Sequence, residues 1–122
     1  MTRELTHFIG GQHVAGASGR FSDVFDPSTG EVQARVPLAS TAEVAAAITN
    51  AEEAQREWGD TNPQKRARVL LKFLELVAKD MDSLARTLSS EHGKTFEDSK
   101  GDIQRGVEVI EFATGAPHLL KG

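Results

Sequence analysis

A change of periodicity at residues 38–40 divides this chain and constrains its fold more than any other feature. Before it, short apolar runs are punctuated by glycine and proline; after it, apolar residues recur at three- and four-residue spacing. Residues 5–38 hold five of the eleven glycines and two of the four prolines, mixed with Phe, Ile and Val, a pattern of strands and turns. Gly10-Gly11, between Phe8-Ile9 and His13-Val14, suits a two-residue hairpin loop, whose central positions need positive φ. Asp26-Pro-Ser-Thr-Gly30 reads as a second turn: Pro27 presets φ, Asp26 can bond forward to the backbone, and Gly30 can turn left-handed. It should join a strand around Phe21–Phe25 to one around Glu31–Val36.

Ser40-Thr-Ala-Glu43 has the capping-box spacing, in which a hydroxyl and a carboxylate satisfy unpaired amides at a helix start. A helix of about 17 residues should follow, with Val44, Ile48, Ala51 and Trp58 near one face, ending at Gly59-Asp60. Asn62-Pro63 starts the next, since Asn caps well and proline's missing N–H costs nothing in the first turn. Its stripe is Val69, Leu70, Phe73, Leu74 and Val77. Asp80 or Asp82 should cap a third helix carrying Met81, Leu84, Ala85 and Leu88, stopped near Gly93. Thr95-Phe-Glu-Asp98 could cap a last long helix through Ile103, Val107, Ile110 and Ala113. Gly101 and Gly106 inside it each cost up to about 1 kcal/mol relative to alanine, which suggests close approach of a neighbour. The expectation is short β-hairpins over about 5–38, then about four α-helices over about 41–120; no repeat period is present.

Composition limits the chemistry. A length of 122 residues fits one domain. With no cysteine in the chain, a disulfide, a thiolate metal site and a thiol nucleophile are excluded from these residues. Fourteen basic against eighteen acidic residues give a net charge of −4, which argues against a nucleic-acid partner. No segment approaches the roughly 20 apolar residues of a bilayer span, and the opening Met1-Thr-Arg-Glu-Leu-Thr-His7 lacks the character of a signal or transit peptide. A cytoplasmic protein without a membrane partner is the expectation.

Histidines 7, 13, 92 and 118 show no metal-ligand spacing, so solvated or turn roles are favoured and no metal site is expected. Gly93-Lys94-Thr95 matches the end of a phosphate-binding loop, but Leu88 stands where its first glycine belongs and a helix precedes it, so the triphosphate reading fails. Lys65-Arg66-Ala67-Arg68 reads as a solvated face, and Glu52-Glu53 and Glu97-Asp98 as helix-surface or N-terminal acids. Arg105 differs, because it lies between Gly101, Gly106 and apolar residues rather than in a charged run. A buried or half-buried guanidinium binds a planar carboxylate by two parallel hydrogen bonds; a structural salt bridge is favoured over a ligand contact, and both stay open.

Together these segments resemble a known family. Phe25-Asp-Pro-Ser-Thr-Gly-Glu-Val32, followed by a Thr-x-x-Glu-Val helix ending in Trp58, resembles the N-terminal region of the aldehyde dehydrogenase superfamily. Phe8-Ile-Gly-Gly-Gln12 is similar to its opening hairpin, and Glu91-His-Gly-Lys-Thr95 to its Glu-x-Gly-Lys turn. Asn62-Pro-Gln-Lys-Arg-Ala-Arg-Val69 and Gly101-Asp-Ile-Gln-Arg-Gly106 resemble the CoA-acylating methylmalonate-semialdehyde dehydrogenase branch. The resemblance runs from about residue 5 to the end.

The resemblance implies an α/β parent fold of which residues 1–122 are the N-terminal portion, a hairpin and strand region over 1–39 and a helical region over 40–122. The Rossmann core and catalytic domain lie outside these residues. The parent would be a homo-oligomeric enzyme using NAD and CoA to oxidise malonate or methylmalonate semialdehyde to acyl-CoA with release of CO2. These residues, lacking the cysteine nucleophile, are expected to bind neither cofactor and to be inactive alone. Arg105 matches a position lining the substrate tunnel, where it would take the carboxylate of the semialdehyde, and the remainder of the dehydrogenase fold is the implied partner. Two alternatives stay open: an NAD(P)-dependent aldehyde dehydrogenase without CoA, and a non-enzymatic helical interaction module.

Overall fold

The computed structural model describes residues 2–122. It forms two compact units, Met1–Gly59 and Asp60–Gly122, so the first helix groups with the strands. In the first unit, β2 (His7–Ile9) and β3 (Gln12–Val14) pair antiparallel, with His7 opposite Val14 and Ile9 opposite Gln12. Gly10 and Gly11 have φ of 61° and 76°, the double left-handed geometry that such a loop requires. β4 (Phe21–Phe25) pairs antiparallel with β5 (Val32–Pro37). Between them the Gly30 amide donates to the Asp26 carbonyl at 2.7 Å and the Ser28 amide to the Asp26 carboxylate at 2.8 Å.

The sequence pattern missed one strand. β1 (Arg3–Glu4) runs parallel to β5, which makes a three-stranded sheet of order β1-β5-β4 rather than hairpins alone. Two exposed charged residues carry no apolar alternation; only backbone pairing across 31 positions of chain, Arg3 to Ala34, makes them a strand. Ala34 and Pro37 of β5 are the buried residues of this sheet.

The capping box forms as expected at α1 (Thr41–Asp60): the Ser40 hydroxyl accepts from the Glu43 amide at 3.2 Å, and Glu43 Oε2 accepts from the Ser40 amide at 2.8 Å. Glu43 Oε1 also accepts the Ala17 amide at 2.6 Å, tying the segment before β4 to the helix start. These bonds, Ala17's first and then Ser40's, lower the Glu43 pKa from 4.5 to about 2. Because the folded pKa is the lower one, the contribution is complete above pH 4.5 and fades as pH falls toward about 2. Glu43→Gln should therefore lower the melting temperature at pH 7, and the gap to the unsubstituted protein should narrow below pH 4.5 and nearly close at about pH 2 in circular-dichroism melts. A gap constant with pH would contradict this.

α1 spans 20 residues, longer than expected, because Gly59 keeps a helical conformation and Asn62-Pro63 ends the run instead. In the second unit, α2 (Pro63–Lys79) is capped by the Asn62 side chain, which accepts from the Gln64 amide at 2.9 Å. α3 (Met81–His92) follows after the single residue Asp80, whose side chain makes no capping bond, contrary to the aspartate cap expected there. Gly93, at φ 84°, closes α3. α4 (Phe96–Thr114) begins under Thr95, which accepts from the Asp98 amide at 3.3 Å.

A fifth helix was not foreseen. α4 ends at Thr114 and a four-residue α5 (Ala116–Leu119) follows, because Pro117 has no N–H for the Ala113 carbonyl. α3 and α4 meet through small residues: Ala85 and Ser99 are fully buried, and the Ser89 and Ser99 hydroxyls bond at 2.8 Å. Asp82 Oδ1 lies 3.3 Å from Lys100 Nζ, and Arg86 stacks over the Phe96 ring at 5.1 Å. The Gly101 and Gly106 expectation fails within this chain, since a Cβ at either would meet nothing within 4 Å. Lys65–Arg68 is also not wholly solvated. Ala67 is buried, and Arg66 Nε is buried without a hydrogen-bond partner among the described residues.

Candidate functional site

Helix α4 presents one face on which a cation and apolar groups alternate at helical spacing. Arg105, Val109 and Phe112, at i, i+4 and i+7, are 81%, 67% and 75% exposed. Arg105 is thus exposed in this chain rather than buried or half-buried, and its contact is the salt bridge that sequence alone favoured: Nη1 lies 3.3 Å from Asp102 Oδ1. One long contact leaves most of the guanidinium fork open to solvent. The other oxygen of Asp102 takes the Lys94 ammonium in a short ion pair, in which the Lys94 side chain is 21% exposed. Lys94, then Arg105 and His92, hold the Asp102 carboxyl below its usual range. Two permanent cations around one carboxylate leave an excess of one positive charge.

Each part is held by local structure. Gly93 turns the chain left-handed at the end of α3, Thr95 caps α4, and Lys94 between them reaches Asp102 two turns into α4. Gly93-Lys94-Thr95 is therefore occupied with capping and ion pairing, and offers no phosphate cradle. Lys94 and Asp102 were not identified as site residues from sequence; the i,i+3 spacing of Asp102 and Arg105 was the available signal.

Beside this face, α2, α3 and α4 enclose an open groove of about 390 Å³ lined by Phe73, Val77, Leu88, Ile103, Gly106 and Ile110. In the first unit a groove of about 440 Å³ is lined by His7, Phe8, Ile9, Val44, Ala47 and Ile48. Both are walled mainly by hydrocarbon; Glu43 also lines the groove of the first unit, and Thr87 and Glu91 line the other, where the Thr87 hydroxyl donates to the Ser83 carbonyl at 3.2 Å. The histidines do not converge: His13 Nδ1 lies 2.9 Å from Thr6 Oγ1, His92 ends α3 and His118 lies in α5. No group of three or more metal-ligating side chains exists among the described residues, and no helix among them is long and apolar enough to cross a membrane.

Comparison with known proteins places this geometry. Residues 13–122 match the aldehyde dehydrogenase family. Malonate-semialdehyde dehydrogenase 3 of Geobacillus kaustophilus is 47% identical over 121 residues, 99% of this chain and 25% of that protein. Malonate-semialdehyde dehydrogenase of Pseudomonas aeruginosa is 45% identical over 118 residues, 97% of this chain and 24% of that protein. Among solved structures, a methylmalonate-semialdehyde dehydrogenase from Sinorhizobium meliloti, complexed with NAD, superposes with a TM-score of 0.94 at 58% identity, over 98% of this chain and 24% of that one. A methylmalonate-semialdehyde dehydrogenase from Oceanimonas doudoroffii gives a TM-score of 0.94 at 45% identity, over 100% and 25%. The chain spans about a quarter of the length of these relatives and has the fold of that portion.

Proposed function

The chain belongs to the aldehyde dehydrogenase family, and from that premise we propose that it is the N-terminal portion of an NAD- and CoA-dependent methylmalonate- or malonate-semialdehyde dehydrogenase. The observation that supports this substrate class is the Arg105 face: an open guanidinium with apolar Val109 and Phe112 beside it and an excess positive charge around Asp102. A short semialdehyde needs that combination, a planar cation for its carboxylate and hydrocarbon for its carbon chain. The aldehyde end would then be handled by other parts of the longer dehydrogenase, where NAD would supply the hydride acceptor and CoA the acyl acceptor.

The residues of this segment do not fit either cofactor. Among the described residues the parallel strand pair is β1 and β5, joined through β2, β3 and β4 with no crossover helix and so no Rossmann turn, and Gly93-Lys94-Thr95 is spent on caps and the Lys94 ion pair. Cofactor binding and thiol chemistry are therefore assigned to the remainder of the fold, and the segment alone to an inactive state. We assign the assembled enzyme to the cytoplasm as a homo-oligomer.

Product analysis tests the reading. The full-length protein, given malonate semialdehyde and NAD, should release CO2 and form acetyl-CoA only when CoA is present. A free carboxylic acid formed at an equal rate without CoA would instead identify a CoA-independent aldehyde dehydrogenase.

A further inference from the structure

We propose that Asp102 is a positioning residue for substrate binding: its carboxylate, held by Lys94, fixes the direction in which the Arg105 guanidinium presents its open edge. The proposal rests on Arg105 being the carboxylate-binding group, and adds how that group is aimed. Asp102 uses its two oxygens on two different cations, Oδ2 on Lys94 and Oδ1 on Arg105 Nη1 at 3.3 Å. Lys94 is the better covered partner, at 21% exposed against 81% for Arg105, and follows directly on the left-handed Gly93. The carboxylate is therefore anchored from the side of the α3–α4 turn and presents its remaining oxygen to an exposed guanidinium. Arginine loses substantial rotamer freedom on being fixed, and a donor already aimed loses less when its ligand arrives. The contact occupies one guanidinium nitrogen, and the planar fork keeps a second edge for a two-bond carboxylate contact.

The sign of the effect separates positioning from simple charge balance. Asp102 is an anion beside the proposed anion site, so by Coulomb's law alone Asp102→Asn should tighten binding of a carboxylated substrate. Positioning requires the opposite. In the full-length enzyme, Asp102→Asn should raise KM for malonate semialdehyde about 5- to 20-fold, leave kcat within about twofold, and leave KM for propanal unchanged. Asp102→Glu, which keeps a carboxylate within reach of both cations, should restore KM to within about threefold of the parent value. A lower KM for the semialdehyde in Asp102→Asn, or an equal loss with propanal, overturns the proposal: the first means electrostatic competition, the second a general structural role. Arg105→Leu is measured alongside. If it leaves the preference for semialdehyde over propanal unchanged, the Arg105 reading itself has failed. If it abolishes that preference while Asp102→Asn does nothing, only the positioning role has failed.

Discussion

Arg105→Leu in the full-length enzyme is expected to raise KM for malonate or methylmalonate semialdehyde while sparing propanal. The loss should be on the order of 2–4 kcal/mol, roughly 30- to 1,000-fold in kcat/KM, as for removal of one partner of a desolvated charge pair. Leucine keeps helix propensity and extends the apolar row of Val109 and Phe112, so the substitution removes the charge and shortens the side chain without disturbing the helix. The magnitude discriminates between environments. In this chain Arg105 is 81% exposed, and an exposed pair with Asp102 is screened by solvent and contributes little. A loss beyond about 2 kcal/mol that depends on the substrate carboxylate thus requires that substrate and further protein exclude water around the guanidinium. Equal losses with both aldehydes would remove Arg105 from substrate recognition.

Ala85→Asp is expected to destabilise the helical unit by about 3–5 kcal/mol, the cost of an uncompensated buried charge. Ala85 is fully buried on the face of α3 that also carries Ser89, whose hydroxyl bonds to buried Ser99 of α4. The α3–α4 pair Lys100–Asp82 and the Lys94–Asp102 pair already use both lysines. Amide exchange in α3 and α4 reads this loss locally, and protection should collapse in both helices together. Ala85→Ser, which adds one hydroxyl, should cost far less. Full protection in Ala85→Asp would mean that the two helices do not depend on this contact.

Local chemistry made much of the fold legible. Gly10-Gly11, Asp26 to Gly30, the Ser40–Glu43 box, Asn62-Pro63, Gly93 and Thr95 each do in the structure what short-range rules require of them. The failures share a cause. β1 exists only because β5 lies beside it, and the reach of Glu43 to Ala17 crosses 26 residues. The site shows the same split. Arg105 stood out because a lone cation among glycines and apolar residues is unusual, but its exposure and its sharing of Asp102 with Lys94 depend on how the turn between α3 and α4 folds.

The sequence by itself determined where most turns, caps and helices begin, Asp80 and α5 excepted, because those choices rest on φ preferences and on hydrogen bonds between residues two to four apart. It also carried the family: the motifs at 8–12, 25–32, 62–69, 91–95 and 101–106 sufficed to place the chain among the aldehyde dehydrogenases. Only the tertiary structure decided that Arg3–Glu4 is a strand, that Ala85 and Ser99 close the α3–α4 contact, and that Lys94 and Arg105 share one carboxylate. Those facts depend on which surfaces meet and on how the α3–α4 turn closes, and the preferences of single residues do not settle that.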